Sequence, residues 1–219
     1  MKQLLLDFTQ APAPTFANYV PGRNAEMLTA LRAAAEGREA ERVIYIWGDS
    51  GAGKTHLLRS VVHAAQARGA RYVGAAEFGP AALAPVLALD DAEDLSEAHQ
   101  IELFNAFNER AFGLLVVAAR AAPRDVALRR DLATRLATGL TYRVLALSDE
   151  EKRAALGAHA AARGFVLADD VSSYLLTHAR RDMPSLMGAL DALDRYSLET
   201  GRPITLPLLK AALQPQARA

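Results

Sequence analysis

The chain has 219 residues, of which 51% are hydrophobic and 23% charged, enough for one moderate domain and a small second one. Its 25 basic and 25 acidic side chains give a formal net charge of zero, which argues against a protein that envelops DNA through charge alone. Cysteine is absent, which excludes disulfides and thiolate metal sites, and no segment is long and apolar enough to span a membrane. A cytoplasmic location is therefore expected.

The N-terminal part predicts an extended leader followed by regular structure. Residues 1–15 contain a short apolar cluster and then an alanine–proline spacer at 11–14, which favours an extended conformation. A helix is predicted over 24–36, where an N-cap residue precedes apolar residues at helical spacing. A short apolar strand follows at 43–47, and a second helix continues to about residue 68.

The middle of the chain alternates strands with helices. Apolar strands are predicted at 71–74, 85–89, 114–119 and 142–147, and an amphipathic helix at 96–110. Strands that are apolar throughout are typical of a parallel sheet buried on both faces. An α/β domain with a parallel sheet flanked by helices is therefore expected.

From Ser148 onward the pattern predicts helices only. The run 148–151 has the composition of a capping box, and the helix that it begins ends at Arg163 and Gly164. Further helices are predicted from about residue 168, over 182–199, and in a short segment near the end of the chain. We expect a nucleotide-binding domain at 16–147 and a small helical domain at 148–219.

A complete phosphate-loop motif lies between the strand at 43–47 and the helix after it. The motif G-x-x-x-x-G-K-[ST] is formed by Gly48, Asp49, Ser50, Gly51, Ala52, Gly53, Lys54 and Thr55. In this setting backbone N–H groups and the helix N-terminus face a phosphate chain, Lys54 reaches its β- and γ-phosphates, and the Thr55 hydroxyl ligates Mg²⁺. The motif therefore predicts binding of a nucleoside di- or triphosphate, in preference to an ordinary glycine turn.

An acidic pair ends the apolar strand at 85–89. Asp90 is expected to hold Mg²⁺ through water, and Asp91 to polarise an attacking water. Acidic pairs are common at strand ends, so the assignment depends on the upstream phosphate loop. The remainder of the run, to Asp94, is interpreted as a solvated turn.

A phosphate loop, an acidic strand end and an appended helical lid resemble the AAA+ class of ATPases. Residues 16–24 resemble the F-x-N-[FY]-V-x-G-x-N segment of the bacterial replication initiator DnaA, which packs near the adenine in that family and implicates Tyr19 here. Residues 130–140 resemble the family segment D-L-x-[ST]-R-[LF]-x-x-G-L, and residues 147–152 resemble the opening of its lid. The resemblance covers nearly the whole chain and implies ADP or ATP with Mg²⁺ as the ligand.

The same resemblance implies an arginine finger at Arg135, a residue that enters a neighbouring ATPase site and stabilises charge on the γ-phosphate. Arg129 and Arg130 are the reserve candidates. From the residues alone, the favoured interpretation of Arg135 is an ordinary helix-surface partner of Asp131, four positions earlier, and the family motif reverses that preference.

The two ends of the chain point to a regulatory branch of this family. The chain stops where DnaA continues into a DNA-binding domain, so little sequence-specific DNA binding is expected. The tip matches Q-L-x-L-x-F, a peptide by which many proteins bind the bacterial sliding clamp, through Gln3, Leu4, Leu6 and Phe8. A strand or helix stub packed on the protein's own core is the other interpretation of this tip. Together the ends resemble the DnaA-related regulatory inactivators, the Hda family, which implies the clamp and DnaA as partners.

The chain departs from the family pattern in two segments. Ala118 and Ala119 stand where a polar residue usually aligns the attacking water, and Pro184 stands where the lid usually carries a phosphate-sensing arginine. Arg180 or Arg181 could replace that arginine, and slow intrinsic hydrolysis is expected. A DNA-handling ATPase such as a helicase loader, a module in which nucleotide is only structural, and a small-molecule kinase are the other functions considered; homo-oligomerisation is left open.

Overall fold

The structure is a computed structural model that describes residues 13–213. It divides into two compact units, one formed by Pro14–Ala146 and the other by the residues from Leu147 onward. The predicted clamp-binding peptide, with Gln3, Leu4, Leu6 and Phe8, lies outside the described residues. Within residues 13–213, no helix combines the length and apolar character needed to cross a membrane.

The first unit is a five-stranded parallel sheet with helices packed on it. Its elements are α1 (Ala25–Ala35), β1 (Val43–Trp47), α2 (Lys54–Ala64), β2 (Ala70–Gly74), β3 (Val86–Asp90), α3 (Glu97–Asn108), β4 (Leu114–Ala119), α4 (Arg130–Leu136) and β5 (Leu140–Arg143). All neighbouring strands are parallel, in the order β2-β3-β4-β1-β5. The α/β parallel-sheet prediction is therefore confirmed.

The sheet is apolar throughout because both of its faces are buried. Ile44 and Ile46 of β1 belong to a core cluster shared with α1 and α2. Tyr45 points to the opposite face, into a cluster shared with α3 and α4. Successive strand side chains alternate between faces, so a strand covered on both sides needs apolar residues at every position.

One strand lies elsewhere than the sequence predicted. The strand expected at 142–147 is β5, at Leu140–Arg143, paired with β1 from Ile44 opposite Leu140 to Trp47 opposite Arg143. Only one further backbone bond follows, from the Val144 N–H to the carbonyl oxygen of Trp47 at 2.6 Å. The strand ends there because β1 turns into the phosphate loop and offers no more backbone groups to pair with.

The regular elements of the second unit, within the described residues 147–213, are all helices, as predicted. They are α5 (Asp149–Ala162), α6 (Asp169–His178), α7 (Met183–Thr200) and α8 (Leu206–Leu213). The Ser148 side chain accepts a hydrogen bond from the Glu151 N–H and the Glu151 carboxylate accepts one from the Ser148 N–H, completing a capping box. Asp191 of α7 contacts His159 at 2.6 Å and Arg163 at 3.2 Å, which ties α7 to α5.

Gly139, just before β5, is expected to be intolerant of any side chain. A Cβ built there would lie 2.0 Å from the carbonyl oxygen of Val43, a backbone atom that cannot move aside cheaply. Gly139→Ala should therefore lower the free energy of unfolding by about 1–3 kcal/mol, measured by urea denaturation. The matched control is Gly157→Ala in α5, where a Cβ meets nothing within 4 Å. Equal stability of the two variants would contradict the close approach.

Candidate functional site

The phosphate-loop residues leave β1 at the carboxyl end of the sheet. The Gly48 N–H donates to the carbonyl oxygen of Ala119 at 3.2 Å, so the loop begins beside the end of β4. The N-cap of α2 is Gly53, with φ of 101°, a left-handed conformation that L side chains rarely adopt. This geometry explains why the motif requires glycine immediately before Lys54.

Lys54 is a buried cation held only by neutral groups. Its side chain is 7% exposed, and its ammonium donates to the carbonyl oxygens of Gly48 at 2.7 Å and Asp49 at 3.1 Å. Within the described part of the chain, no carboxylate forms a salt bridge with it. A buried charge without a counter-charge is unfavourable, so this ammonium is poised for an anionic ligand.

The start of α2 offers further anion-binding groups. No side chain caps this helix, and the first backbone N–H groups of a helix have no acceptor within it. They point along the axis toward the loop, where the helix dipole also favours negative charge. A Cβ at Gly51 would meet nothing within 4 Å, so there is open space beside the loop. These residues fit the phosphate chain of a nucleotide.

Thr55 and Asp90 meet beside the loop, although 35 residues separate them. The Thr55 hydroxyl donates to Asp90 Oδ2 at 2.6 Å. Asp90, at the end of β3, is 2% exposed, and its Oδ1 accepts a hydrogen bond from the Asp91 N–H at 3.1 Å. A hydroxyl and a carboxylate are the hard oxygen donors that Mg²⁺ prefers, so this pair fits the predicted magnesium site.

Asp91 is exposed and stands in the left-handed region with φ of 51°. Partial burial, followed by the negative charges of Asp90, Glu93 and Asp94, raises the pKa of its carboxyl, while Lys54 acts in the opposite direction. Asp91 directly follows Asp90, whose carboxylate contacts Thr55 of the loop. A carboxylate with a raised proton affinity at that edge is suited to accept a hydrogen bond from an attacking water.

Tyr19 packs beside the phosphate loop. A Cβ at Gly53 would lie 3.2 Å from its ring, and its ring centroid is 5.5 Å from that of His56. The hydroxyl accepts a long hydrogen bond from the Asn24 amide at 3.4 Å, and burial raises the pKa of Tyr19 to about 12. The ring therefore forms part of the wall next to the predicted nucleotide site.

Two contacts near the site were not predicted from the sequence. The Tyr72 hydroxyl, from β2, donates to Asp90 Oδ2 at 2.9 Å. Asn24 exchanges two hydrogen bonds of 2.8 Å with the backbone of Leu145, which holds the start of α1 against the chain after β5. Strand pairing and long-range packing create both contacts, and the segment at 16–24, which ends at Asn24, does not identify the partner of that residue.

The end of β4 carries no polar side chain. Ala118 and Ala119 are both fully buried at 0% exposure, so neither can align a water. The next residue, Arg120, pairs with Glu93 and, at 2.8 Å, with Asp94. Its positive charge is thus directed at the acidic turn that follows Asp91.

Arg135 lies exposed on α4 with its guanidinium 5.9 Å from the Phe107 ring of α3. Among residues 13–213 no acceptor bonds to its guanidinium. The ion pair with Asp131 that the sequence left open does not form, because Asp131 binds Arg129 at 3.0 Å instead. That hydrogen bond also lowers the pKa of Asp131.

An open depression with a volume of about 720 Å³ is lined by this arginine and by two others. Its lining residues come from α3 and α4 and are Phe104, Arg129, Arg130, Asp131, Thr134 and Arg135. Arg129 is held by Asp131 and, at 3.7 Å, by Glu97. Arg130, like Arg135, has no ion-pair partner among the described residues, so two free guanidinium groups line one opening.

Arg180 and Arg181, the two candidates to replace the lid arginine, both form ion pairs within the helical unit. Pro184 lies in the first turn of α7, where the Asp182 side chain accepts a hydrogen bond from the Ser185 N–H at 2.9 Å. Arg181 bonds to Asp149 at 2.5 Å, and Arg180 lies 3.3 Å from Asp182. Both guanidinium groups are therefore paired within the helical unit itself.

Two family models match separate parts of the chain. The model of the bacterial DnaA ATPase domain matches residues 11–84, and the model of the Hda lid domain matches residues 149–213. A relative from Haemophilus influenzae, described as an uncharacterized protein, is 35% identical over 97% of this chain and 98% of its own length.

Solved structures that share the fold include DnaA and RuvB proteins. AMPPCP-bound DnaA from Aquifex aeolicus is 23% identical, with a TM-score of 0.68 over 86% of this chain and 67% of that one. Domain III of DnaA from Thermotoga maritima is 22% identical, with a TM-score of 0.69 over 92% and 96%. The Thermotoga maritima RuvB branch migration motor is 16% identical, with a TM-score of 0.66 over 93% and 72%. At these identities the likeness establishes the fold.

Proposed function

Because the chain belongs to the Hda family of DnaA-related AAA+ proteins, we propose that it stimulates ATP hydrolysis by the initiator DnaA while bound to the sliding clamp. The observation that carries the proposal is Arg135, an exposed guanidinium without a counter-ion among the described residues, beside the equally unpaired Arg130. A finger must leave its own surface and enter another protein's site, so an arginine free of internal partners is suited to this role.

We propose that the nucleotide bound by this protein has mainly a stabilising role, with slow hydrolysis. The buried ammonium of Lys54 and the Thr55–Asp90 pair fit ADP or ATP with Mg²⁺. The methyl groups of Ala118 and Ala119 offer an attacking water nothing to bond with. We therefore propose that nucleotide remains bound, that it stabilises the α/β unit by mass action, and that it is hydrolysed slowly.

Binding to the clamp is assigned to the N-terminal tip on its sequence. Gln3 provides an amide for backbone groups at a pocket rim, and Leu4, Leu6 and Phe8 provide apolar anchors. The alanine–proline spacer at 11–14 separates this peptide from the α/β unit. A peptide on a spacer allows the catalytic surface to reach DnaA while the protein stays attached to the clamp.

Removal of residues 1–9 should abolish clamp binding, measured by surface plasmon resonance on immobilised clamp. Because the peptide supplies all the apolar anchors, the double variant Leu4→Ala/Phe8→Ala should behave as the truncation does. The melting temperature should stay within about 2 °C of the parent's, since surface changes cost little stability. A control, Thr9→Ala/Gln10→Ala, should bind normally. A large loss of stability on truncation would instead indicate a structural strand.

The experiment that tests the proposed function is single-turnover hydrolysis of ATP prebound to DnaA. The reaction is followed with DnaA alone, with this protein, with DNA-loaded clamp, and with both. We expect rapid hydrolysis only when both are present. Hydrolysis that is unchanged by the complete mixture would overturn the proposal, and strong salt-dependent DNA binding without clamp would favour a DNA-handling ATPase.

A further inference from the structure

The carboxylate of Asp90 receives a hydrogen bond that the phosphate-loop motif does not explain. Its Oδ2 accepts from the Thr55 hydroxyl at 2.6 Å and also from the Tyr72 hydroxyl at 2.9 Å. Its Oδ1 accepts from the Asp91 N–H at 3.1 Å. Thr55 and Asp91 follow from the nucleotide-binding motifs themselves. Tyr72 comes from the neighbouring strand β2, which belongs to neither motif.

Tyr72 is held in place from two sides. In the sheet it is paired with Ala88 of β3, two positions before Asp90, and this register brings the hydroxyl to the carboxylate. On the helix side, the Arg59 guanidinium lies over the Tyr72 ring, 4.2 Å from its centroid. Arg59 is on α2, one turn after Thr55, so the ring is braced by the helix that carries the phosphate-loop hydroxyl.

The Tyr72 ring also contacts Arg59, a cation that could compete with Mg²⁺ for the Asp90 carboxylate. Arg59 forms no salt bridge with Asp90 or with another carboxylate of residues 13–213, and its charge instead rests on the aromatic face. A guanidinium bonded directly to Asp90 would neutralise the carboxylate that a metal ion needs. The face of the Tyr72 ring thus contacts the Arg59 guanidinium, while its hydroxyl donates to the Asp90 carboxylate.

We propose that Tyr72 is a positioning residue for Mg²⁺ at the nucleotide site, an inference that rests on the proposed nucleotide-binding function. The rotation of an aspartate carboxylate about its last bond is only weakly restricted by intrinsic torsion. Two hydroxyl donors on Oδ2 and one N–H donor on Oδ1 fix that rotation, which leaves one lone pair, on Oδ1, to accept from a metal-bound water. Outer partners of this kind typically alter metal affinity about 10–100-fold when they are removed.

The test uses fluorescence titration of the full-length protein with mant-ADP over a series of MgCl₂ concentrations and in EDTA. Tyr72→Phe keeps the ring and removes the hydroxyl, so the Mg²⁺ concentration at half-maximal enhancement of binding should rise about tenfold or more. Affinity in EDTA should remain within about twofold, since the phosphate contacts of Lys54 and α2 do not involve Tyr72. The matched control is Tyr142→Phe in β5, a half-buried tyrosine for which no shift is expected.

Arg59→Gln is the second variant, and it keeps the proposal testable if Tyr72→Phe does not fold. Arg59 is exposed, so its replacement should leave the fold intact while removing the brace on the ring. The Mg²⁺ midpoint should rise in the same direction by a smaller factor, about two- to fivefold.

Four outcomes are distinguishable. A raised Mg²⁺ midpoint in Tyr72→Phe, with unchanged EDTA affinity, supports the proposal. An unchanged or lower midpoint in a folded Tyr72→Phe protein, or an equal loss with and without Mg²⁺, overturns it. If Tyr72→Phe does not fold, an unchanged midpoint in Arg59→Gln overturns it. Failure of the parent protein to bind mant-ADP at all would overturn the proposed nucleotide function itself.

Discussion

Replacing Arg135 by alanine should remove nearly all of the stimulation of DnaA, a loss on the order of 10³-fold in the single-turnover rate. The guanidinium has no acceptor among residues 13–213 and rests only on the Phe107 ring, so its removal breaks no internal ion pair. Clamp binding and nucleotide binding should therefore stay unchanged. The rate is measured with ATP-loaded DnaA and DNA-loaded clamp.

Two further variants test whether the effect is specific to the guanidinium of Arg135. Arg135→Lys should fail as well, because an ammonium does not reproduce the planar array of donors that a guanidinium presents to a γ-phosphate. Arg129→Ala should have a much smaller effect, because Asp131 and Glu97 already hold that side chain. Full stimulation by Arg135→Ala would overturn the assignment, and loss of stimulation in Arg130→Ala alone would transfer the role to Arg130.

Features encoded by nearby residues could be predicted from the sequence. The structure has β1 and β4 within the predicted bounds, since their continuous apolar residues are flanked by clear turns. The capping box at Ser148 was also predictable, because its two partners are three residues apart. Even the Thr55–Asp90 contact could be expected across 35 residues, since parallel strands bring their carboxyl ends to one edge of a sheet.

Features that depend on a spatial neighbour could not be derived in the same way. The strand β5 begins and ends where β1 provides backbone partners. A prediction from its apolar residues alone therefore set its start two residues too late. The spacing of four residues predicted Arg135 as the partner of Asp131, and the geometry at the start of α4 selected Arg129 instead. The contact of Tyr72 with Asp90 follows from the register of β2 on β3, which no motif encodes.

Replacing Lys54 by alanine should weaken the binding of ADP and ATP by at least about 100-fold, as measured by calorimetry. The ammonium is the buried cation of the loop, and only neutral carbonyl oxygens bind it in the described structure. A phosphate chain converts this unfavourable burial into charge-assisted hydrogen bonds at short distance. The variant loses those bonds and keeps only the backbone N–H groups at the start of α2.

The stability of the same variant separates a binding role from a structural one. Without nucleotide, Lys54→Ala should melt close to the parent temperature, because the change removes a buried charge together with its two hydrogen bonds to neutral carbonyl oxygens. With saturating Mg²⁺–ADP, the parent should gain stability by mass action and the variant should not. Lys210→Ala, at an exposed lysine of α8, should retain the full gain. Unchanged nucleotide affinity in Lys54→Ala would show that the loop does not hold a phosphate chain, and the proposed nucleotide site would be wrong.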